Sequence, residues 1–119
     1  IDYGLGNVQA IENVYKRLHI PVRLAKTAAE LEGAEKLILP GVGSFDHAME
    51  RFTSSGMRET VTDMVHSKKI PVLGICVGMQ MLANKSDEGV REGLGWVGGT
   101  VKALNSVEKL SRLPLPHMG

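Results

Sequence analysis

The sequence predicts an α/β fold with a mostly parallel sheet, and three observations support that prediction. Short apolar runs, typical of buried strands, alternate with segments whose apolar residues recur at helical spacing. Glycine or proline stands at most junctions between these segments. The 119 residues, 43% apolar and 23% charged, have the length and composition of a globular domain with a modest core. We therefore expect right-handed strand–helix–strand units in a single domain over residues 1–119.

The first part of the chain is predicted to contain the end of a strand, a tight turn, a helix and a second strand. Residues 1–2 look like the end of a strand, and the glycines of YGLGN follow as a tight turn. Asn7 has the side chain of a cap for a helix over residues 8–18, where apolar residues recur at helical spacing. The β-branched run at 20–25 predicts a second strand.

The middle of the chain contains the most apolar predicted strand. Thr27 and Glu30 form a capping-box pattern that predicts a brief helix before it. Residues 37–39 are continuously apolar, as in a strand buried on both faces, and Pro40 is expected to end the strand. The glycines that follow predict a loop.

The rest of the chain repeats the alternation of helix and strand. Ser44 or Asp46 can cap a helix that reaches residue 52, and another helix is expected to end near residue 67. The apolar stripe of that second helix is Met57, Val61, Met64 and Val65. Further predictions are a strand, a helix, a charged glycine-rich loop and a strand with a glycine break, over residues 70–76, 77–83, 86–95 and 96–104.

Charge and hydropathy argue against two classes of partner. The formal net charge is +1, and the lysine pair at 68–69 is too short for a nucleic-acid-binding patch. No apolar run approaches the roughly 20 residues that span a bilayer, and the opening IDYGLGN lacks the features of a secretion signal. The single cysteine cannot form an internal disulfide, which fits a reducing, cytoplasmic setting. We expect no nucleic acid and no membrane as partner.

Cys76 gives the clearest chemical signal. It stands where a predicted strand gives way to a helix, between Gly74 and Gly78 in the sequence GICVG. This is the pattern of a nucleophile elbow, in which small residues flank a sharp turn that exposes the nucleophile. The backbone N–H of Val77 points to the same place and can hold an oxyanion. The sequence therefore predicts a thiol nucleophile.

Other roles for this thiol stay open from the residues alone. Free cysteine is often a buried core residue, and an accessible thiol at the start of a helix also suits a redox sensor. A metal site has little support, because no second cysteine is present and the histidines are scattered. Acyl transfer also needs a base, and no histidine stands out among His19, His47, His66 and His117.

Several motifs, in their order and spacing, resemble a known family. PGVGSFDHAM, GICVGMQML, EGLGW and PHMG, with the opening DYGLGN, are similar to the glutaminase subunits of imidazole glycerol phosphate synthases. These are class I, triad-type glutamine amidotransferases of histidine biosynthesis, and the resemblance covers essentially the whole chain. It implies a flavodoxin-like three-layer sandwich, incomplete at its C-terminal end, with glutamine as substrate and no cofactor or metal.

The resemblance also implies a mechanism. Cys76 attacks the side-chain amide of glutamine, ammonia leaves, and the γ-glutamyl thioester is hydrolysed to glutamate. Val77 provides one oxyanion N–H, and Val42 provides the other after a peptide flip. Gly41 and Gly43, on either side of Val42, contribute to substrate binding.

Gln80 and Glu88 match the positions that hold the substrate in the family. Gln80 is one helical turn after Cys76 and can face the same pocket. Glu88 offers a carboxylate for the substrate ammonium. From the residues alone, Gln80 can also be read as a solvated helix residue and Glu88 as a loop charge.

The resemblance implies a partner protein as well. Asn7, His117 and Met118 match surfaces that face a (β/α)8-barrel cyclase subunit, which receives the ammonia through an internal channel. Handing ammonia over inside a complex avoids its protonation and loss in water.

The sequence departs from the family pattern at the base. The family carries its histidine base and orienting glutamate on an H-P-E segment, and no H-P-E occurs in these 119 residues. His117 belongs to PHMG and does not replace that base. We therefore expect a partial amidotransferase domain that does not turn over glutamine by itself.

Three alternative functions are kept. The glutaminase of pyridoxal phosphate synthesis shares a similar elbow and would be distinguished by its partner. A non-catalytic α/β domain that binds or senses oxidants through Cys76 would ignore a glutamine analogue. A fragment that docks on a partner without chemistry is the third.

Overall fold

The computed structural model describes residues 1–103 of the chain. Within them the helices are Val8–Arg17 (α1), Phe45–Ser54 (α2), Arg58–His66 (α3) and Val77–Gln80 (α4), with a 3₁₀ turn at Ala29–Leu31. The strands are Leu37–Gly41 (β1), Val72–Cys76 (β2), Lys85–Ser86 (β3) and Thr100–Val101 (β4).

The predicted parallel pairing is confirmed. β1 and β2 are parallel neighbours, and α2 and α3 form the crossover between them. The pairing runs from Leu37 opposite Val72 to Gly41 opposite Cys76. A second pair, β3 with β4, is also parallel and only two residues long in each strand. Both strands of the main pair therefore end at the same edge, next to Cys76.

The strands predicted at residues 1–2 and 20–25 are wrong as strands. The N–H of Asp2 donates to the carbonyl of Ala25 at 2.8 Å, and the amino nitrogen of Ile1 donates to Ile38 at 2.9 Å. The opening residues thus lie between the segment that ends at Ala25 and β1. A segment of two residues makes single bonds rather than a repeated ladder, so the pairing is too short for a strand.

β1 continues through Pro40 and Gly41, where the sequence predicted its end. Backbone groups alternate between the two sides of a strand, and those of Ile38 and Pro40 face the opening residues. The carbonyl of Ile38 accepts from Ile1, and the carbonyl of Pro40 accepts from the Tyr3 hydroxyl at 2.6 Å. The N–H that proline lacks would therefore face away from β2, and its absence costs no β1–β2 bond.

The predicted helix starts are mostly confirmed. The Asn7 side chain accepts from Ala10 N–H at 3.1 Å, and the Ser44 hydroxyl accepts from His47 N–H at 3.2 Å. Both are N-cap contacts that satisfy backbone donors of the first helical turn. Asp46 is not the cap, because it lies one residue inside α2. The brief helix after Thr27 is the 3₁₀ turn.

The helix predicted over 77–83 and the strand predicted over 96–104 are both shorter. α4 ends at Gln80 because the N–H groups of Leu82 and Ala83 donate to carbonyls three residues back, those of Met79 and Gln80, at 3.2 and 3.1 Å, and not four residues back as in an α-helix. β4 is limited to Thr100–Val101, and residue 104 of that prediction lies outside the described residues.

The core is built mainly from α2, α3 and β1. In the predicted stripe of the second helix Met57, Val61 and Met64 are buried, and Val65 is half-buried against the same core. The ring of Tyr3 packs edge-on against Phe52 with 5.5 Å between centroids. The other buried apolar residues are Ala25, Leu31, Leu37, Leu39, Phe45, Ala48, Met49, Val77 and Met81. No helix within residues 1–103 has the length and apolar character needed to cross a membrane.

Candidate active site

Cys76 occupies the sharp turn that the sequence predicted. It is the last residue of β2 and the residue before α4, with φ 59° and ψ −125°. A positive φ is rare for a residue with a Cβ and costs about 1–3 kcal/mol when the surrounding structure enforces it. The residue is exposed and its thiol is free. Within residues 1–103 the turn therefore presents a reduced thiol to solvent and does not bury it in the core.

The glycines around Cys76 are required by close backbone contact. A Cβ on Gly78 would lie 1.9 Å from the carbonyl oxygen of Leu39. A Cβ on Gly74 would lie 2.5 Å from the Cα of Met79. Both obstacles are main-chain atoms, which cannot swing aside as a flexible side chain can. The glycines thus let β1, β2 and α4 approach closely enough to form the turn.

The PGVG segment lies directly against this turn. Gly41 is the register partner of Cys76, and a Cβ on Gly41 would lie 2.8 Å from the N atom of Gly78. Val42 and Gly43 follow at the exposed end of β1, and Gly43 has φ 84°. The oxyanion was predicted to be held by Val42 of the PGVG segment and by Val77 at the start of α4. The structure therefore brings these two segments next to each other.

Tyr3 and Gly6 also pack against the PGVG segment. The Tyr3 hydroxyl donates to the Pro40 carbonyl at 2.6 Å and lies 3.4 Å from the sulfur of Met81. Burial raises the pKa of Tyr3 to about 12, so the hydroxyl keeps its proton and stays a donor. A Cβ on Gly6, where φ is 98°, would lie 2.8 Å from the Cβ of Pro40. The opening turn is thus packed against the strand that leads to Val42.

The predicted substrate residues lie on two neighbouring segments. Gln80 is half-buried at the end of α4, one turn after Cys76. Glu88 is exposed in the loop after β3, and its backbone N–H donates to the Ser86 hydroxyl at 3.2 Å. That loop is bound to α2, because the Asp46 carboxylate accepts backbone N–H groups from the residues that follow Glu88.

The described histidines do not supply a base for Cys76. His19 follows the end of α1 with φ 57°, and His47 is exposed in the first turn of α2. His66 ends α3, with its ring edge-on to Trp96 at 6.0 Å. Among residues 1–103 no hydrogen bond joins any of them to Cys76, and no group of three or more His, Cys, Asp or Glu could hold a metal ion.

Comparison with protein-family models gives independent information on the family of this chain. The model described as "Glutamine amidotransferase class-I" matches residues 1–116. The chain belongs to the class-I glutamine amidotransferase family. The family resemblance predicted from the motifs is thereby confirmed.

Two relatives of this amidotransferase chain carry a more specific name. It is 63% identical over all its 119 residues to "Imidazole glycerol phosphate synthase subunit HisH" of Bdellovibrio bacteriovorus. It is 50% identical over the same length to the protein of that name from Leptospira interrogans. The chain covers 58% of each of these relatives, so it spans little more than half of their length.

A solved structure supports the fold of the amidotransferase chain. A crystal structure described as a glutamine amidotransferase superposes on 82% of this chain and 52% of its own, with a TM-score of 0.70 and 24% sequence identity. At that identity the likeness concerns the fold alone. It agrees with the predicted flavodoxin-like α/β class, in which the functional site lies at the carboxyl ends of parallel strands.

Some predicted interface residues of this amidotransferase chain are described and others are not. Asn7 is exposed and caps α1, so it has a structural role whatever it contacts outside the chain. His117 and Met118 lie outside the described residues.

Sequence reasoning missed two residues that shape the site. Tyr3 was not singled out, although it is the one buried residue of the opening turn. Asp46 was considered only as a helix cap, and its contacts to the loop after β3 were not foreseen. The sequence did contain a signal for a distant contact of Asp46. Ser44 is the better-placed helix cap, which leaves the Asp46 carboxylate without a local role.

Proposed function

We propose that the complete protein carrying this sequence hydrolyses glutamine at Cys76 and delivers the ammonia to a cyclase partner for imidazole glycerol phosphate synthesis. The observation that carries the proposal is the elbow at Cys76, with φ 59° and with Gly41 beside it in register. The names of the two relatives supply the pathway. Residues 1–119 would form part of one amidotransferase domain, in a cytoplasmic setting that keeps the thiol reduced.

The reaction follows from the thiol and the backbone donors around it. The Cys76 thiol gives its proton to the base, its sulfur attacks the side-chain amide carbon of glutamine, and the carbonyl oxygen becomes an oxyanion. Val77 N–H, and Val42 N–H after a flip of its peptide, donate to that oxygen. The C–N bond breaks, the nitrogen leaves as ammonia with a proton from the base, and a thioester remains. Water then attacks the thioester, which releases glutamate and restores the thiol.

The substrate is held by the residues around this thiol in the proposed complex. Gln80 and Glu88 would bind the α-amino-acid end of glutamine, with the Glu88 carboxylate paired to the ammonium. Gly41 and Gly43 would leave room for the side-chain amide. The base and its orienting carboxylate would come from outside residues 1–119, because no H-P-E occurs here. The partner would be a (β/α)8-barrel cyclase subunit, contacted through Asn7, His117 and Met118.

The proposal is tested with the complete protein and its cyclase partner. Cys76→Ala should lower glutamine-dependent product formation by about a thousandfold or more, because the covalent step is lost. Synthesis driven by added ammonium should remain unchanged, which serves as the internal control. An electrophilic glutamine analogue should add once, at Cys76, in the wild-type protein.

Three outcomes would contradict the proposal. Glutamine-dependent synthesis that survives Cys76→Ala would remove the nucleophile from its role. Wild-type protein that transfers ammonia only to the partner of pyridoxal phosphate synthesis would favour that alternative. A thiol that oxidises readily but does not react with the glutamine analogue would favour the sensor.

A further inference from the structure

Asp46 connects two segments of the candidate site that are far apart in the sequence. Its Oδ1 and Oδ2 accept the N–H of Val90 at 3.1 and 3.0 Å, and its Oδ1 accepts the N–H of Arg91 at 2.9 Å. These donors lower the pKa of the Asp46 carboxyl below its ordinary value, with the Val90 contact as the larger cause. The ionised carboxylate is thus the form that the loop binds.

The loop is shaped to bring its backbone onto this carboxylate. A Cβ on Gly89 would lie 2.3 Å from Oδ1 of Asp46 and 3.2 Å from the ring of Phe45. Gly89 is therefore the residue that lets two successive N–H groups reach the same carboxylate. Its position directly after Glu88 means that the contact fixes the chain immediately beyond the predicted substrate residue.

The other side of the same turn is also held. The N–H of Glu88 donates to the Ser86 hydroxyl at 3.2 Å, and Ser86 is buried. The N–H of Asp87 donates to the carbonyl of Val101 at 2.8 Å. Glu88 thus has its backbone bound on both sides while its side chain is exposed, and no ion pair joins it to another residue in the described range 1–103. A fixed backbone with an open carboxylate suits a residue that binds a ligand cation.

The binding partner of this turn is itself part of the site. Asp46 lies in the first turn of α2, which follows directly from the PGVG segment, and Gly41 of that segment pairs with Cys76. Ser44 already caps this helix, so the Asp46 side chain is not needed as a cap. The carboxylate therefore links the Glu88 turn to the same rigid unit that carries the nucleophile.

From these contacts we propose that Asp46 is a positioning residue for glutamine binding, which holds the turn of residues 86–91 so that Glu88 meets the substrate ammonium. This rests on the proposed function, because it takes glutamine as the substrate. The proposed role of Asp46 acts through this turn, since its carboxylate accepts the backbone N–H groups of Val90 and Arg91.

The test uses the complete protein with its cyclase partner. Asp46→Ala should raise the KM for glutamine about tenfold or more and leave kcat within about twofold, because binding is lost and the covalent step is not. Asp46→Asn keeps one acceptor oxygen and should give a smaller rise. Glu50→Ala is the matched control, since Glu50 lies on the same helix and contacts the same loop only through an exposed ion pair with Arg91 at 3.8 Å.

Two further measurements separate positioning from a general loss of structure. The backbone amides of Val90 and Arg91 should exchange with deuterium faster in Asp46→Ala, while the amides of α3 stay as protected as in the wild type. In a Glu88→Ala background, Asp46→Ala should add little to the KM, because the two residues act through one contact.

The outcomes are distinguishable. An unchanged KM in Asp46→Ala, or additive effects with Glu88→Ala, would overturn the positioning role while leaving glutamine hydrolysis at Cys76 intact. Unchanged exchange at Val90 and Arg91 would overturn the contact itself. Wild-type protein that does not hydrolyse glutamine would overturn both the proposed function and this inference.

Discussion

At the scale of single residues, the site depends on side chains that fix main-chain positions. The sequence could predict the strained turn at Cys76, because a glycine on each side of a thiol at a strand end is a local pattern. It could not predict the Tyr3 contact, because a lone tyrosine beside a turn has no periodicity and its acceptor, the Pro40 carbonyl, is distant in sequence. Such contacts form only once the fold brings the two segments together.

Loss of the Tyr3 hydroxyl should weaken the support of the PGVG segment. We expect Tyr3→Phe to lower the free energy of unfolding by about 1–3 kcal/mol, because the buried Pro40 carbonyl loses its donor while the ring contact with Phe52 remains. Tyr15→Phe is the matched control, since Tyr15 lies half-buried on α1. Denaturant unfolding of the complete protein measures both, and equal effects would contradict the prediction.

The same hydroxyl predicts a dependence of stability on alkaline pH. Burial raises the pKa of Tyr3 to about 12 in the folded state, whereas the unfolded tyrosine has a pKa of about 10. The folded protein holds this proton more tightly, so the contribution is full below about pH 10 and is lost as the pH rises toward about 12. The difference in unfolding free energy between wild type and Tyr3→Phe should shrink over that range, and a constant difference would refute this origin.

At the scale of elements, the helix starts and the main strand pair were predictable from the sequence. The ends of helices and strands were less predictable. Asn7 and Ser44 have side chains that bind the first helical turn, and this local chemistry is visible in the sequence. The end of α4 at Gln80 was not visible, because residues 81–84 are bound by residues 93–97, and that contact has no local signal in the sequence. The predicted end of β1 at Pro40 was too early. Tertiary pairing decides which side of the strand the missing N–H of a proline faces, and this cannot be read from the sequence.

Close contact between β1 and α4 predicts intolerance of a single methyl group. Gly78→Ala should destabilise the complete protein by at least about 2 kcal/mol, because the new Cβ would stand 1.9 Å from the Leu39 carbonyl oxygen. Gly98→Ala is the control, since a Cβ there meets nothing within 4 Å, and it should change stability by no more than about 0.5 kcal/mol. Thermal unfolding distinguishes them, and a Gly78→Ala protein as stable as the control would refute the close packing.

At the scale of the whole molecule, the alternation of apolar runs and helices was enough to predict the fold class. It predicts parallel pairing because each strand returns through a helical crossover. It does not reveal which strands are covered on both sides. In the described part of the chain β2 pairs with β1 alone, and Leu73 and Ile75 of β2 are 54% and 37% exposed.

This apolar strand predicts self-association of the isolated chain. A polypeptide of residues 1–119 made alone should form higher oligomers at micromolar concentration, because an exposed apolar strand recruits further strands. Leu73→Lys should reduce that association, whereas Val90→Lys should not, since Val90 is exposed in the loop after β3 and belongs to no strand. Light scattering measures the mass of each variant. A monomeric wild-type chain, or equal effects of the two lysines, would contradict the prediction.

The register of Gly41 with Cys76 has a consequence for the order of folding. The crossover of α2 and α3 lies between these two residues in the sequence, so the elbow is a contact of long sequence separation and a long stretch of chain must close before it forms. The positive φ at Cys76 also opposes the turn until the sheet holds it. We therefore expect the turn that exposes the Cys76 thiol to form late in folding, together with the packing around it.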